Sequence, residues 1–314
     1  MKSLHTDLND VDRKNFIHYL QYDNHILCTR CVLRYLIGLS KFKPDVIYQI
    51  FQELITMGID VNILPYGAYT SGESILHSAV VWERHDIIQL LLDNGALLEV
   101  GKEHIIFPAI RKQNTKVIDL CLEKINKENF SNKEFVMKVI EASLKNNNKQ
   151  VLENLYNKNL FDINYVNAYE FSLLMSAIYL SPKTSTFASY PHQYENDCVK
   201  FLIEKGAYLD YIDANSSRNT AIMIALSKQD TYLVYDLLEH ALAGSLNIFR
   251  KNKNNSDVLT EILKMDNTLL LSKALLVYKQ NNKKIDESYV DYVRSYPALQ
   301  ILNDYMTKNI VNIK

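Results

Sequence analysis

The feature that most constrains the fold is a pair of short amphipathic stretches joined by a turn. Ser74 can cap a first helix that carries Leu76 and Ala79 on one face. The second stretch is apolar at helical spacing from Ile87 to Leu91 and is followed by Gly95, which suits the left-handed turn that ends a helix. Neither helix can bury its apolar face alone, so similar pairs must stack on it. The segment therefore predicts an array of stacked helix pairs.

The same segment resembles the ankyrin repeat, whose first helix opens with the pattern Thr-Pro-Leu-His-x-Ala and whose period is about 33 residues. Ser74-Ile75-Leu76-His77-Ser78-Ala79 occupies the place of that opening, and His77 falls on the structural histidine of the family. A second good match begins at Phe171-Ser172-Leu173-Leu174-Met175-Ser176-Ala177 and continues from Asp197 to Ala207. The resemblance covers residues 24–249 and is specific in these two repeats, while elsewhere it rests on period and pattern.

This resemblance implies an all-α fold, an ankyrin-repeat solenoid of about six to seven helix pairs with capping helices at both ends. We expect the N-terminal cap in residues 1–23, and the repeats in residues 24–249 with an insertion at 181–196. Residues 250–314 are expected to hold a degenerate repeat and a helical C-terminal cap, whose helical spacing Pro297 breaks. Weaker pairs are predicted at His25 to Leu39 with Asp45 to Met57, Ile105 to Lys112 with Thr115 to Lys124, Phe135 to Lys145 with Lys149 to Asn157, Thr220 to Ala225 with Tyr232 to His240, and Asp257 to Lys264 with Asn267 to Lys279.

Composition supports a helical protein in an aqueous compartment. Only 8 Gly and 6 Pro occur in 314 residues, too few for a sandwich or barrel of many tight turns. A net charge of -1 argues against nucleic-acid and membrane-surface binding, since both need an excess of Lys and Arg. No apolar run reaches the length of a membrane span, and no secretory signal is visible. We expect a cytoplasmic monomer.

The cysteines predict reduced thiols, because the four are scattered and lack a secretory context. Cys28 and Cys31 invite a metal or redox interpretation, but no second Cys/His pair at suitable spacing follows, and packing of two small apolar side chains is favoured. The sequence has no phosphate-binding glycine loop and no His-Glu-x-x-His motif. It therefore predicts no catalytic residues, no metal and no cofactors.

The ankyrin resemblance implies a binding surface made of the β-turn fingers between repeats and the exposed end of each first helix. Trp82, the only tryptophan, is a candidate anchor for a partner protein; the alternative is that its ring packs locally over the turn between the helices. The basic residues predict an acidic segment in the partner, against the alternative of ordinary solvated helix ends. The predicted binding residues on the first helices are Val81, Trp82, Arg111, Lys112, Lys145, Tyr179 and Lys228.

Two segments depart from the regular repeat and carry aromatic residues. The first finger, residues 64–72, contains Tyr66 and Tyr69, and insertions in repeat proteins map to surface loops. Exposed aromatic side chains on a loop predict binding, whereas the alternative is a loop that buries its own rings. The insertion at 181–196 contributes Phe187, Tyr190, His192 and Tyr194.

We therefore predict a non-catalytic scaffold or adaptor that binds another protein. AT-rich amino-acid usage and the family resemblance together point to an effector that a microbe or large DNA virus delivers into a host cell. The alternatives are an effector enzyme, with its catalytic groups in the insertion or the terminal helices, and a nucleic-acid binder with a continuous basic ridge. Leu54 through Asn62 also resembles sites that asparagine hydroxylases modify in ankyrin repeats, against the alternative that Asn62 closes a finger.

Overall fold

The computed structural model describes most of the chain as helices. In the described ranges the β-structure consists of isolated antiparallel bridges at Glu99 and His104, Val166 and Ser172, and Ile212 and Thr220. The chain divides into two compact units, Met1–Ala142 and Ser143–Lys314. The described residues are 33, 36–38, 44–62, 64, 73–100, 103–128, 132–181, 196–214 and 217–311.

In the first unit the first helices of neighbouring pairs pack on each other, and so do the second helices. The first helices α2 and α4 pack on each other, as do the second helices α1 and α3, while α2 also packs on α3 and α4 on α5. Leu33, Leu36 and Ile37 are buried helical residues that precede α1. The helices of this unit are α1 (Pro44–Thr56), α2 (Ile75–Val81), α3 (His85–Asp93), α4 (Ile106–Arg111), α5 (Thr115–Glu128) and the start of α6 (Lys133–Lys145).

The second unit repeats this arrangement. Its further helices are α7 (Lys149–Asn157), α8 (Leu173–Leu180), α9 (Asp197–Glu204), α10 (Ala221–Ser227), α11 (Thr231–Leu242), α12 (Val258–Met265), α13 (Thr268–Gln280), a 3-10 helix (Glu287–Tyr292) and α14 (Tyr296–Val311). The first helices stack in the order α8, α10, α12, and the second helices pair as α7 with α9 and α11 with α13. The helix pairs predicted within the described ranges are confirmed, whereas most of the predicted helix between His25 and Leu39 lies outside them. Pro297 was placed wrongly as a break, because it is the second residue of α14, where a missing N–H costs no hydrogen bond.

Asparagine and aspartate cap most of the second helices. The side chains of Asn148, Asn196, Asp230 and Asn267 accept the backbone N–H three residues further on, at 3.0–3.2 Å. Each cap satisfies one N–H that the helix itself leaves unpaired. α3 differs, since Arg84 stands at its start and bonds both Asp86 and the carbonyl of Pro44.

Turns between the helices of a pair use left-handed residues other than glycine. Glu83, Gln113, Asn147, Gln229 and Asp266 all have φ between 50° and 60°. Such residues lack the freedom of glycine in this region, so the short turn is imposed by the packed helices on either side. At the other end of the second helices, positive φ falls on Gly58, Gly95, Gly206 and Gly244, and on Asn159 and Asn282 where the sequence offers no glycine.

Side chains at the base of one finger bond the backbone of the next. Asn62 Oδ1 accepts the Leu97 N–H at 2.8 Å, while Asn62 Nδ2 donates to the Gly95 carbonyl at 3.1 Å. In the second unit Asn164 accepts from Tyr208 and Asp210 accepts from Asn247, at 2.8 and 2.7 Å. These bonds fix the spacing of neighbouring fingers. They also give Asn62 a structural role, and its hydroxylation stays a prediction.

Buried polar residues close the C-terminal end of the second unit. The Asp257 carboxylate caps α12 through Thr260 N at 2.9 Å and accepts the hydroxyls of Tyr278 on α13 and Tyr289 on the 3-10 helix. Burial raises the pKa of Tyr289 to about 12, so this hydroxyl remains a donor at neutral pH. Together with the packing of α14 on α13, this cluster attaches the C-terminal cap to the last helix pair.

Two histidines lie in the core of the first unit. His77 Nδ1 is 2.8 Å from the hydroxyl of Ser74, the N-cap of α2, and burial lowers the pKa of His77. His104 Nδ1 accepts the Ile106 N–H at 3.1 Å, and its ring meets Phe135 edge-on at 5.2 Å between centroids. Burial lowers the pKa of His104 to about 4. Both rings are therefore neutral in the folded protein at physiological pH.

The first unit should lose stability on mild acidification because of His104. Its folded pKa of about 4 lies below the value of 6.5 expected when unfolded, so protons bind the unfolded state first as the pH falls below 6.5. Between about pH 7.5 and about pH 5 we expect the free energy of unfolding of the first unit to fall by up to about 2 kcal/mol. Asparagine can offer its Oδ1 to the Ile106 N–H without titrating. His104→Asn should therefore reduce the loss, measured as the free energy of unfolding in urea followed by Trp82 fluorescence.

His85→Asn is the matched control, because His85 is exposed at the start of α3. This variant should keep the pH dependence of the wild type. An undiminished loss of stability in His104→Asn would contradict the role assigned to His104.

Candidate protein-binding surface

Trp82 lies at the C-terminal end of α2, beside the exposed Val81, and is 49% exposed. A Cβ built on Gly38 would lie 3.5 Å from Trp82 Cζ2, so the indole covers the helical residue Gly38 of the preceding repeat. Its ring therefore packs on a neighbouring helix, and about half of the residue remains open to solvent. An indole that packs on a helix with one part and is open to solvent with the other is typical of residues that anchor protein interfaces.

The two basic residues at the end of α4 both have carboxylate partners. Arg111 makes a bidentate pair with Glu103, at 2.7 and 2.9 Å, and its hydrogen bonds lower the pKa of Glu103. Lys112 Nζ is 3.6 Å from Glu83 Oε1, next to Trp82, and both side chains are well exposed. The Arg111 charge is thus largely satisfied within the chain, while the Lys112 pair is a weak surface contact.

In the second unit, Tyr179 near the end of α8 is 61% exposed. Its ring centroid is 5.9 Å from that of Phe171, which lies on the finger that leads into α8. The finger and the first helix of this repeat therefore each contribute an aromatic ring to one surface. Lys145 is exposed in the last turn of α6.

Lys228, at the end of α10, bonds the end of α8 instead of pointing to solvent. Its Nζ donates to the carbonyls of Ile178 and Tyr179, each at 2.9 Å, and to both the carbonyl and the hydroxyl of Ser181. Elsewhere, such helix-end carbonyls are bonded by the N–H groups of a short turn; Arg84 N, for example, donates to Ala79 O at 2.9 Å. α8 is followed by the inserted segment, so the neighbouring repeat supplies a lysine to these carbonyls.

Other predicted residues lie outside the described part of the chain. This group includes Cys28, Cys31, the N-terminal cap of residues 1–23 and the aromatic side chains of the first finger and the insertion. The binding residues concerned are Tyr66, Tyr69, Phe187, Tyr190, His192 and Tyr194.

Sequence reasoning missed exposed tyrosines on the fingers of the second unit. Tyr169 is 73% and Tyr208 66% exposed. Tyr211 lies on the same finger as Tyr208, and burial together with the charge of Glu170 on the preceding finger raises its pKa, so these two fingers are close. The signal was available, because these tyrosines occur between repeats as Tyr66 and Tyr69 do.

The perturbed thiol and hydroxyl groups of the described residues are structural. Cys121 and Cys198 are free and buried, and burial raises the pKa of Cys198 to about 12, so its thiol stays protonated. In the described ranges no group of three His, Cys, Asp or Glu side chains is placed to hold a metal ion. No helix there is both long enough and apolar enough to cross a membrane.

The stacked pairs, their like-on-like packing and the linked fingers define an all-α fold of the ankyrin-repeat type. No family model and no curated protein matches the chain. Among solved structures it is similar to the human ASB11 ankyrin repeat domain, with 19% identity over 72% of this chain and 89% of that one, and a TM-score of 0.48. It is also similar to the ankyrin repeat domain of Bcl-3, with 15% identity over 86% of this chain and 97% of that one, and a TM-score of 0.39. A third similar structure is the ankyrin repeat protein EF0377, with 19% identity over 64% of this chain and 95% of that one, and a TM-score of 0.43. The fold class rests on the helix pairs themselves, since these similarities are low.

Replacing Lys228 by methionine should destabilise the second unit. The substitution keeps most of the aliphatic side chain but leaves the carbonyls at the end of α8 without their charged donor. Charge-assisted bonds of this kind contribute about 2 kcal/mol, so we expect a loss of that size in the free energy of urea unfolding, followed by far-UV circular dichroism. Lys279→Met is the control, because Lys279 is exposed at the end of α13. Equal stability of the two variants would show that Lys228 does not support α8.

Proposed function

We propose that this chain is a non-catalytic scaffold that binds another protein through its fingers and the ends of its first helices. The observation that carries the proposal is the placement of exposed aromatic side chains on these short elements. Trp82 in the first unit and Tyr169, Tyr179 and Tyr208 in the second leave large apolar area in water. Tryptophan and tyrosine are the residues that most often supply binding energy at protein interfaces.

The backbone under these side chains is held before a partner arrives. The backbone N–H of Tyr208 donates to Asn164 Oδ1. Tyr179 lies in the last turn of α8, and its carbonyl accepts a hydrogen bond from Lys228 Nζ. A surface that is already ordered loses little conformational entropy on binding. This supports recognition by a preformed surface.

Aromatic contact should contribute more than charge on these first-helix ends. Arg111 and Lys228 are engaged within the chain, and Lys112 has a nearby carboxylate. The acidic partner segment predicted from these residues would therefore meet few available charges here. Buried reduced Cys121 and Cys198 fit the cytosol-like compartment that we propose for the protein.

Affinity capture with matched surface variants tests the proposal. Trp82→Ala and Tyr179→Ala should each reduce recovery of a captured protein, because loss of an interface anchor costs about 2 kcal/mol or more. Leu276→Ala is the control, since Leu276 is 54% exposed on the second helix α13 and belongs neither to a finger nor to a first helix. Equal recovery by all these baits would contradict the proposed surface.

A purified partner should also change the emission of Trp82. Because it is the only tryptophan, its fluorescence reports one point of the proposed surface. Desolvation on binding should shift its emission to shorter wavelength and reduce quenching by acrylamide. Subtracting the spectrum of the Trp82→Phe complex removes the emission of the partner itself. An unchanged difference spectrum on saturation would place the interface elsewhere.

A further inference from the structure

Positive charge is concentrated on the last finger of the second unit and on the segment after α13. Residues 247–256 contain three basic residues and no acidic one, and residues 281–285 contain two basic residues that precede Asp286 and Glu287. This contrasts with the whole chain, whose net charge is -1. The basic residues concerned are Arg250, Lys251, Lys253, Lys283 and Lys284.

Side-chain contacts bring the two segments together. Lys283 Nζ lies 5.3 Å from the ring centroid of Phe249, which precedes Arg250 on the finger. Tyr289, on the 3-10 helix that follows the second segment, donates its hydroxyl to Asp257, which directly follows the finger. Lysines that are about thirty positions apart in sequence therefore share one surface.

A backbone hydrogen bond joins the last finger to the preceding one. The backbone N–H of Lys253 donates to the Ser217 carbonyl at 3.0 Å, beside the exposed Arg218. Asn252 fixes the finger from within, since its Oδ1 accepts the N–H groups of Asn254 and Ser256 at 3.0 and 3.1 Å. The basic side chains thus project from an ordered backbone.

The lysines of these two segments differ from Arg111 and Lys112 at the end of α4. No carboxylate of the described residues comes within ion-pair distance of Lys251, Lys253, Lys283 or Lys284, whereas Arg111 and Lys112 have such partners. Arg250 donates to the Asp210 carbonyl at 3.2 Å and is partly engaged. The four lysines, all exposed, are named here the C-terminal basic patch.

We propose that the C-terminal basic patch binds an acidic segment of the partner protein, with which it makes charge pairs that the chain does not supply itself. The proposal rests on the scaffold function above and gives the chemistry of its partner. Like charges held on one surface create a positive potential that attracts and orients a chain of carboxylates. The acidic segment therefore meets the last fingers, and not the first-helix ends on which the sequence placed it.

A protein partner fits this patch better than a nucleic acid. Single-stranded nucleic acids bind where basic side chains alternate with exposed aromatic rings that stack on bases. The one aromatic ring in residues 247–256 and 281–286 is that of Phe249, which is half-buried and packs edge-on against Tyr278 at 4.9 Å. Lysine supplies point charges that pair with carboxylates without base stacking.

The test is binding of a fluorescein-labelled oligoglutamate peptide to the full chain, measured by fluorescence anisotropy. The variant Lys251→Glu/Lys253→Glu/Lys283→Glu should weaken binding about tenfold or more, because three attractive charges become repulsive. The control Lys116→Glu/Lys158→Glu/Lys200→Glu changes the net charge equally at exposed positions on or next to second helices. It should weaken binding less than about threefold, the part due to net charge alone. Circular dichroism of both variants verifies that they are folded.

Each outcome decides the proposal. Equal weakening by the two triple variants, or binding of oligoglutamine as tight as that of oligoglutamate, would overturn it. Tighter binding of oligothymidylate than of oligoglutamate would identify the patch as a nucleic-acid site instead. The scaffold function is tested separately by Trp82→Ala and Tyr179→Ala. A captured protein that depends on those two residues but not on the patch would preserve the scaffold and refute the acidic segment.

Discussion

The structure depends on mutual burial of helix pairs that have no core of their own. In α2, α8 and α10 the first six residues are all buried, polar ones included, because each first helix packs on its own second helix and on at least one neighbouring first helix. Only the end of such a helix reaches solvent. This is why Val81, Trp82 and Tyr179 are exposed although the helices that carry them are core elements. The packing that makes the fold therefore leaves only the ends of the first helices open to solvent.

Burial of short helices creates many unpaired backbone groups, and local polar residues satisfy them. Asn148, Asp230 and their equivalents cap the second helices, while Ser74 and Ser172 cap first helices. At the end of α8, Lys228 from the next repeat donates to the carbonyls of Ile178 and Tyr179. The same principle closes the last pair, where Asp257 receives hydroxyls from both Tyr278 and Tyr289. Departures from the regular repeat are thus matched by specific polar contacts.

The sequence predicted the helix pairs because apolar spacing and glycine stops are local signals. It also placed Trp82 and Tyr179 at exposed helix ends, since position within a repeat sets exposure. It could not predict the partner of Lys228, whose acceptors lie 47 to 50 residues earlier in the chain. Neither could it show that the buried His104 ring accepts the Ile106 N–H and packs against Phe135. Contacts between repeats decide which polar side chains are already engaged, and spacing within one repeat does not reveal them.

The same contacts separate two kinds of binding contribution on the surface. Aromatic residues at helix ends and fingers offer apolar area on an ordered backbone, which suits them to supply affinity by burial. The C-terminal basic patch offers charge in water, where each pair contributes little to affinity but the summed field raises the association rate and orients the partner. Salt should therefore affect the two parts differently: screening slows capture by the lysines, whereas contacts of Trp82 and Tyr179 mainly set the dissociation rate. A partner that uses both would associate faster at low ionic strength, while its dissociation rate would change little.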